Sequence, residues 1–350
     1  MLAVKPNAVA APVAPLPSAD TGLLWRRIVG PVEPFLDTVA ARLAEQVDAF
    51  EPGLRPYADY ALNGQGKQLR PALVALTANT LGKPTAAHVT VAVIIEMVHL
   101  ATLVHDDVID EAEIRRGRLT LAANWGNDVA VLFGDCLFAR ALTLAASFPT
   151  PDICRAVAAA TNTVCAGEIL QTRHRRDFPV SQQEYFKVLE MKTGELFALS
   201  CELSAHCGGA TTAERTALRQ FGMVFGTAYQ LYDDCVDLFG VETRVGKSLG
   251  TDLAKGKLTL PVLLLWERAT PADRARLEHL VREWKPAGLD AVLGLLSRYE
   301  VLPSALEAVH GQLAKARQRL RALPESVGRA GLLGAAEFLA DQTDALGGST

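Results

Sequence analysis

Two runs of carboxylates are the residues best suited to chemistry. The first, His105-Asp106-Asp107-Val108-Ile109-Asp110-Glu111, closes a stretch that is apolar from Val89 onward. Asp106 and Asp110 are spaced by four, so on a helix they stack on one face, with His99 on the same side. Like charges that close weaken a helix by about 0.2–0.5 kcal/mol, and a hard divalent cation removes the repulsion. Carboxylate oxygens without Cys or His ligand spacing favour magnesium over zinc. Magnesium in turn combines one or two protein carboxylates with the phosphate oxygens of a substrate. The second run, Tyr229-Gln230-Leu231-Tyr232-Asp233-Asp234-Cys235-Val236-Asp237, repeats the pattern in another apolar segment that begins near Thr212. There Gln230, Asp233 or Asp234, and Asp237 share a face. One such run alone reads as an acidic, solvated helix end; two favour a polyphosphate held through metal ions.

Cations complete the charge balance. Lys67 and Arg70 stand three apart at a helix entry, Arg115 and Arg116 follow the first acidic run, and Lys192, Lys247, Lys255 and Lys257 lie in glycine-containing segments. Each alone is ordinary surface charge. As a set they suit a polyphosphate, arginine by bidentate grip and lysine as a point charge. No Gly-x-x-x-x-Gly-Lys-Ser/Thr loop is present, so a nucleotide P-loop is not the explanation. The run Arg173-His174-Arg175-Arg176 reads as a solvated loop.

The elements that must position these groups are helical. Apolar residues recur at three and four through long windows free of Gly and Pro, beta alternation is scarce, and aromatics are 6% of the 350 residues. With 49% hydrophobic and 21% charged residues, a large core is expected and global disorder is excluded. No internal repeat or composition shift divides the chain. The reading is one all-α helical bundle domain with a central cavity over 23–350, preceded by a flexible Ala/Pro-rich extension over 1–22. That extension lacks the basic start and apolar centre of a signal peptide. The segment Val89 to Val104 carries Glu96 and His99 and reads as a buried helix, too short and polar to span a bilayer. The six cysteines show no zinc or disulfide spacing, so free thiols in the cytoplasm are expected. A net charge of -4 gives no global attraction to nucleic acid.

From about Tyr57 to Leu265 the sequence closely resembles the trans-isoprenyl diphosphate synthase (polyprenyl synthetase) family. The shared motifs are Gly-Lys-x-x-Arg-Pro at 66–71, His-x-x-x-x-x-His-Asp-Asp-x-x-Asp at 99–110, Arg-Arg-Gly at 115–117, and Met-Lys-Thr-Gly at 191–194. They continue with Gln-x-x-Asp-Asp-x-x-Asp at 230–237 and Gly-Lys-Ser-x-Gly-Thr-Asp-Leu with Gly-Lys-x-Thr-Leu-Pro at 246–261. The resemblance implies a magnesium-dependent condensation of isopentenyl diphosphate with an allylic diphosphate. It places two magnesium ions on Asp106 and Asp110 and a third on Asp233, with Asp107, Asp234, Asp237 and Asp252 in support. It assigns Arg115, Lys192, Thr193, Gln230, Lys247 and Lys257 to the allylic diphosphate, and Lys67, Arg70, His99 and Arg116 to isopentenyl diphosphate. It also implies a homodimer, with at most peripheral membrane contact for product release.

In that family bulky residues just before the first acidic motif close the product cavity early. Here Thr102, Ala101 and Val98 are small or moderate, so a hexaprenyl to decaprenyl product is expected, with a floor at Ile94 or at Phe138 and Leu142. The alternatives are a shorter-chain farnesyl or geranylgeranyl diphosphate synthase and a subunit of a two-component prenyl synthase. Gln65 and Gln68 depart from the family pattern, and the C-terminus lacks its basic tail. A terpene cyclase is disfavoured because its second metal motif is of a different Asn/Asp, Ser/Thr, Glu type.

Overall fold

The computed structural model describes residues 25–63, 66, 68–178, 180–241 and 249–348. Lys67, Lys247 and Gln65 therefore lie outside the described residues. The helices are α1 (Glu33–Glu45), α2 (Arg55–Leu62), α3 (Leu69–Leu81), α4 (Ala86–Ile109), α5 (Leu121–Trp125), α6 (Asn127–Ala146) and α7 (Asp152–Arg173). There follow α8 (Gln182–Leu189), α9 (Glu195–Cys207), α10 (Thr212–Phe239), α11 (Thr251–Ala254) and α12 (Leu260–Arg268). The chain continues through α13 (Pro271–Arg282), α14 (Leu289–Arg298), α15 (Val301–Arg319) and α16 (Val327–Gly347). The fold is all-α, as the periodicity predicts. Among the described residues the strands are β1 (Ile114–Arg115) and β2 (Arg118–Leu119), one short antiparallel hairpin.

Helix α4 is central because it is apolar nearly all round, and such a helix is stable only when surrounded. It packs on α3, α6 and α9, and buries Val91, Ile94, Ile95, Met97, Val98 and Ala101. Each large aliphatic side chain so buried contributes about 1.5–3 kcal/mol, enough to anchor an unfavourable charged end. Its start is fixed by a capping box in which Thr85 accepts from the third helical N–H and the His88 ring accepts from the Thr85 N–H. That box lengthens the helix to 24 residues. By length and apolarity alone it could cross a membrane, contrary to the sequence expectation, yet most of its apolar window is buried inside the protein. Helix α10, also opened by a capping box from Thr211 and Glu214, packs on α9 and α15. Phe197 of α9 and Phe221 of α10 are fully buried in the cluster that runs from Ile28 to Leu339.

Both acidic runs end up at helix C-termini. Asp106 and Asp107 occupy the last turn of α4 and Asp110 is its C-cap, while Asp233, Asp234 and Asp237 occupy the last two turns of α10. The C-terminal end of a helix carries partial negative charge, so each carboxylate is placed against its helix dipole. Both ends therefore call for cations.

Candidate active site

Four elements bring those cations in. Helices α8 and α9 form one continuous helix interrupted by a single π turn, Glu190–Gly194, which holds Lys192 and Thr193. The wider turn presents Lys192 to α4 and α7: its Nζ lies 3.4 Å from Asp106, hydrogen-bonds Gln171 at 2.9 Å, and pairs with Glu168. π turns recur at functional sites because they re-aim side chains within a helix. Burial works against the charge on Lys192, but Asp106 and Glu168 carry its pKa above the ordinary value. Burial also raises the Asp106 carboxyl, a rise that Lys192 opposes and Glu168 adds to.

The β1–β2 hairpin supplies the next pair. Its two-residue turn is Arg116-Gly117, with the strand partners Arg115 and Arg118 on either side. Both turn residues take a positive φ, 53 and 73 degrees, as a tight hairpin matched to strand twist requires. Glycine adopts this freely; Arg116 does so at a cost. Arg115 and Arg116 thus sit on a reversal rather than a helical continuation, and face different ways. The Arg115 Nε donates to Asp107 at 2.7 Å, while Arg116 lies against Gly66, near Arg70, His99 and Glu96.

Asp110 is the most heavily countered carboxylate. Lys257 and Lys255 reach one oxygen at 2.8 and 3.1 Å, and Arg175 reaches the other at 2.6 Å. Burial alone would raise its pKa, but the two lysines hold it well below the usual carboxylate range. The expectation that Arg173 to Arg176 is a solvated loop is wrong for Arg175. Its loop docks on the 250–257 segment, where the Arg176 N–H donates to the Gly256 carbonyl at 2.8 Å.

The α10 end is built differently. Thr193 donates to Gln230 at 3.0 Å, Gln230 donates to Asp234 at 2.8 Å, and the Tyr185 hydroxyl donates to Asp234 at 2.5 Å. Burial and then Asp252 push the Asp234 carboxyl well above its ordinary value, against those two donors. Asp237 caps the segment leading into α11, accepting from the Thr251 N–H and hydroxyl and the Asp252 N–H. Asp233 lies beside Tyr229, and Tyr229 also neighbours Arg70 and Arg116, so the α10 acidic end adjoins the second cationic pocket.

That second pocket holds Arg70, stacked 4.5 Å over the Phe197 ring, with Arg116, Glu96 and His99. Burial, then Arg70, Arg116 and Arg115, force the His99 pKa far down, so its imidazole is neutral at neutral pH and offers an uncharged N–H. Deeper along α4, Val98 and Ala101 are fully buried and the Thr102 hydroxyl donates to the His99 carbonyl at 2.7 Å. Ile94 is fully buried, and Leu142 is 36% exposed.

Glu168, Gln171, Arg175, Tyr185 and Glu96 neighbour these clusters but are not among the site residues that the sequence suggests. Glu168 and Gln171 are spaced by three on α7, which marks one helix face; Glu96 shows in the sequence as a charge inside an apolar run.

A family model described as "Polyprenyl synthetase" matches residues 51–294. The chain belongs to the polyprenyl synthetase family. Among its relatives, an octaprenyl diphosphate synthase of Escherichia coli is 33% identical over 301 residues, covering 86% of this chain and 93% of that one. A heptaprenyl diphosphate synthase component 2 of Bacillus subtilis is 32% identical over 304 residues, 87% of each chain. A solved polyprenyl synthase from Caulobacter crescentus, complexed with calcium and isoprenyl diphosphate, superposes with a TM-score of 0.85 at 32% identity over 90% of this chain and 97% of that one. The polyprenyl synthetase motifs at 66–71, 99–117, 191–194 and 230–261 all fall within the matched span and, where described, converge on the two clusters above.

Proposed function

We propose that the protein is an all-trans-polyprenyl diphosphate synthase that condenses isopentenyl diphosphate with an allylic diphosphate of farnesyl or geranylgeranyl type to a hexaprenyl to decaprenyl product. One observation carries this reading: two adjoining cationic pockets, one threaded with carboxylates at two helix C-termini and the other built on Arg70, Arg116 and a neutral imidazole. Two diphosphates need two such pockets, and only the one whose diphosphate leaves needs metal ions.

The carboxylate pocket fits magnesium. Its donors are hard oxygens, with Asp106 and Asp110 one helical turn apart, and an ion that completes its shell with water and phosphate needs no more than one or two of them. Asp106, Asp110 and Asp233 would hold the ions, which when bound neutralise charge developing on the leaving diphosphate. Lys192, Arg115, Lys257 and Lys247 grip the allylic diphosphate, with Thr193 and Gln230 fixing the Asp234 network behind it. Arg70, Arg116, Lys67 and neutral His99 hold isopentenyl diphosphate so that its double bond faces the allylic carbon. The apolar wall of α4 beyond Thr102 excludes water from the allylic cation, and its small Ala101 leaves room for a long tail. The double bond of isopentenyl diphosphate is the nucleophile and the departing diphosphate takes the proton, so no side-chain nucleophile or base is needed.

The reading includes a homodimer in the cytoplasm. The homodimer is supported by the apolar windows of α6 and α7, which are long enough to cross a membrane but mostly uncovered, with Leu132 65% and Ile169 63% exposed. A self-associating face accounts for such a patch. Replacing Leu132 by Glu should give a monomer by analytical ultracentrifugation. Incubating the purified chain with isopentenyl and farnesyl diphosphates, with magnesium or with EDTA, and sizing products by mass spectrometry tests the whole reading. Long products with magnesium alone support it. Products of farnesyl or geranylgeranyl length, or activity only after adding a second protein, would replace it with one of the alternatives.

A further inference from the structure

We propose that Arg175, with Lys255 beside it, is a further anion-binding residue of the site, gripping the diphosphate of the allylic substrate at its Asp110 edge. The proposal rests on the synthase reading and extends it to two residues outside the assigned set. Asp110 carries one charge but faces three cations, Arg175 at 2.6 Å, Lys257 at 2.8 Å and Lys255 at 3.1 Å. Lys257 also acts on Asp106 and Lys255 on Asp107, so these cations are shared along the acidic end, and an anion arriving at this edge meets all three together.

The donors point the same way. A guanidinium has five N–H groups, and Arg175 spends one on Asp110. Its Nε is shielded from solvent and has no partner, a cost that an acceptor brought to it removes. A phosphate oxygen is such an acceptor and suits the planar fork of arginine. Nor is Arg175 a drifting surface group. The next residue, Arg176, takes a left-handed φ of 58 degrees, donates its N–H to the Gly256 carbonyl at 2.8 Å, and lays its side chain against Gly256, where a Cβ would meet it at 2.5 Å. Gly256 itself has a φ of 73 degrees. The two loops are locked together, and the lock aims Arg175 inward with its side chain 21% exposed.

The test compares Arg175→Gln and Arg175→Lys with the wild-type enzyme. Binding of inorganic diphosphate is measured by calorimetry, once with magnesium and once with EDTA. Arg175→Gln should weaken binding about tenfold in both conditions, and Arg175→Lys, which keeps the charge but not the fork, should recover only part of it. In turnover, KM for farnesyl diphosphate should rise while KM for isopentenyl diphosphate stays. Unchanged or tighter diphosphate binding in Arg175→Gln overturns the proposal, as does full recovery by Arg175→Lys, which would leave charge alone and no role for the fork. Should the wild-type enzyme make no prenyl product while the binding difference persists, the synthase reading fails and the anion contact stands.

Discussion

Lys192 stands between two buried carboxylates, and a double-mutant cycle on it and Glu168 measures what it does there. Lys192 and Glu168 are only 18% and 12% exposed, so solvent screening is weak. Lys192 lies 3.4 Å from Asp106, and at that separation their attraction amounts to about 5 kcal/mol at an effective dielectric of about 20, before desolvation is subtracted. Replacing Lys192 by Met removes that attraction and leaves Asp106 and Glu168 to repel each other, which should cost about 3–5 kcal/mol of folding stability. Replacing Glu168 by Gln removes one attraction and one repulsion together, so its cost should stay below about 2 kcal/mol. With both replaced, no second buried charge is left uncompensated, and the pair should recover about 1.5–3 kcal/mol relative to additivity. Urea unfolding of the four proteins in EDTA gives the numbers. Additivity within about 0.5 kcal/mol would refute the view that Lys192 neutralises Glu168 as well as Asp106.

Three further outcomes follow from the same geometry. Replacing the fully buried Ala101 by Phe should shorten the product, read by mass spectrometry; an unchanged product length would remove Ala101 from the cavity wall. Tyr185 and Gln230 are the side-chain donors to the buried Asp234. Replacing Tyr185 by Phe takes one of them away and should lower stability by about 1–3 kcal/mol in urea unfolding. His88 is buried and neutral, with its pKa below the free value of 6.5 because burial outweighs its hydrogen bond to the Ser204 carbonyl. Since the unfolded chain binds the proton more readily, stability should fall as pH drops below about 6.5, and His88→Asn should make that fall shallower.

What can be read from the residues alone follows the range of the interactions involved. Helices α4 and α10, their acidic ends and their partners Thr193 and Gln230 depend on local spacing, which a sequence displays. The apolar run sets the start of α4 too late, because the Thr85–His88 box lies outside it. Arg115 and Arg116 can be named from the sequence but not aimed, since the left-handed turn that separates them is a property of the hairpin closing. Arg175 is hidden among three other basic or titratable neighbours because its direction is decided by Gly256, far along the chain. Glu168 escapes notice because a carboxylate on a helix with many polar positions reads as exposed until the π turn brings Lys192 over it.

That π turn also sets the phase of everything after it. One extra residue in a helix turns the remainder by about 100°, since an α-helix advances 3.6 residues per turn. Leu196, Phe197, Leu199 and Leu203 reach the core in register only because Glu190–Gly194 is wound wide. Rewinding those same residues as α-helix, with none deleted, would rotate the buried stripe of α9 toward solvent. The aim of Lys192 and the core packing of α9 therefore depend on one wide turn, and rewinding it cannot move one without unsettling the other.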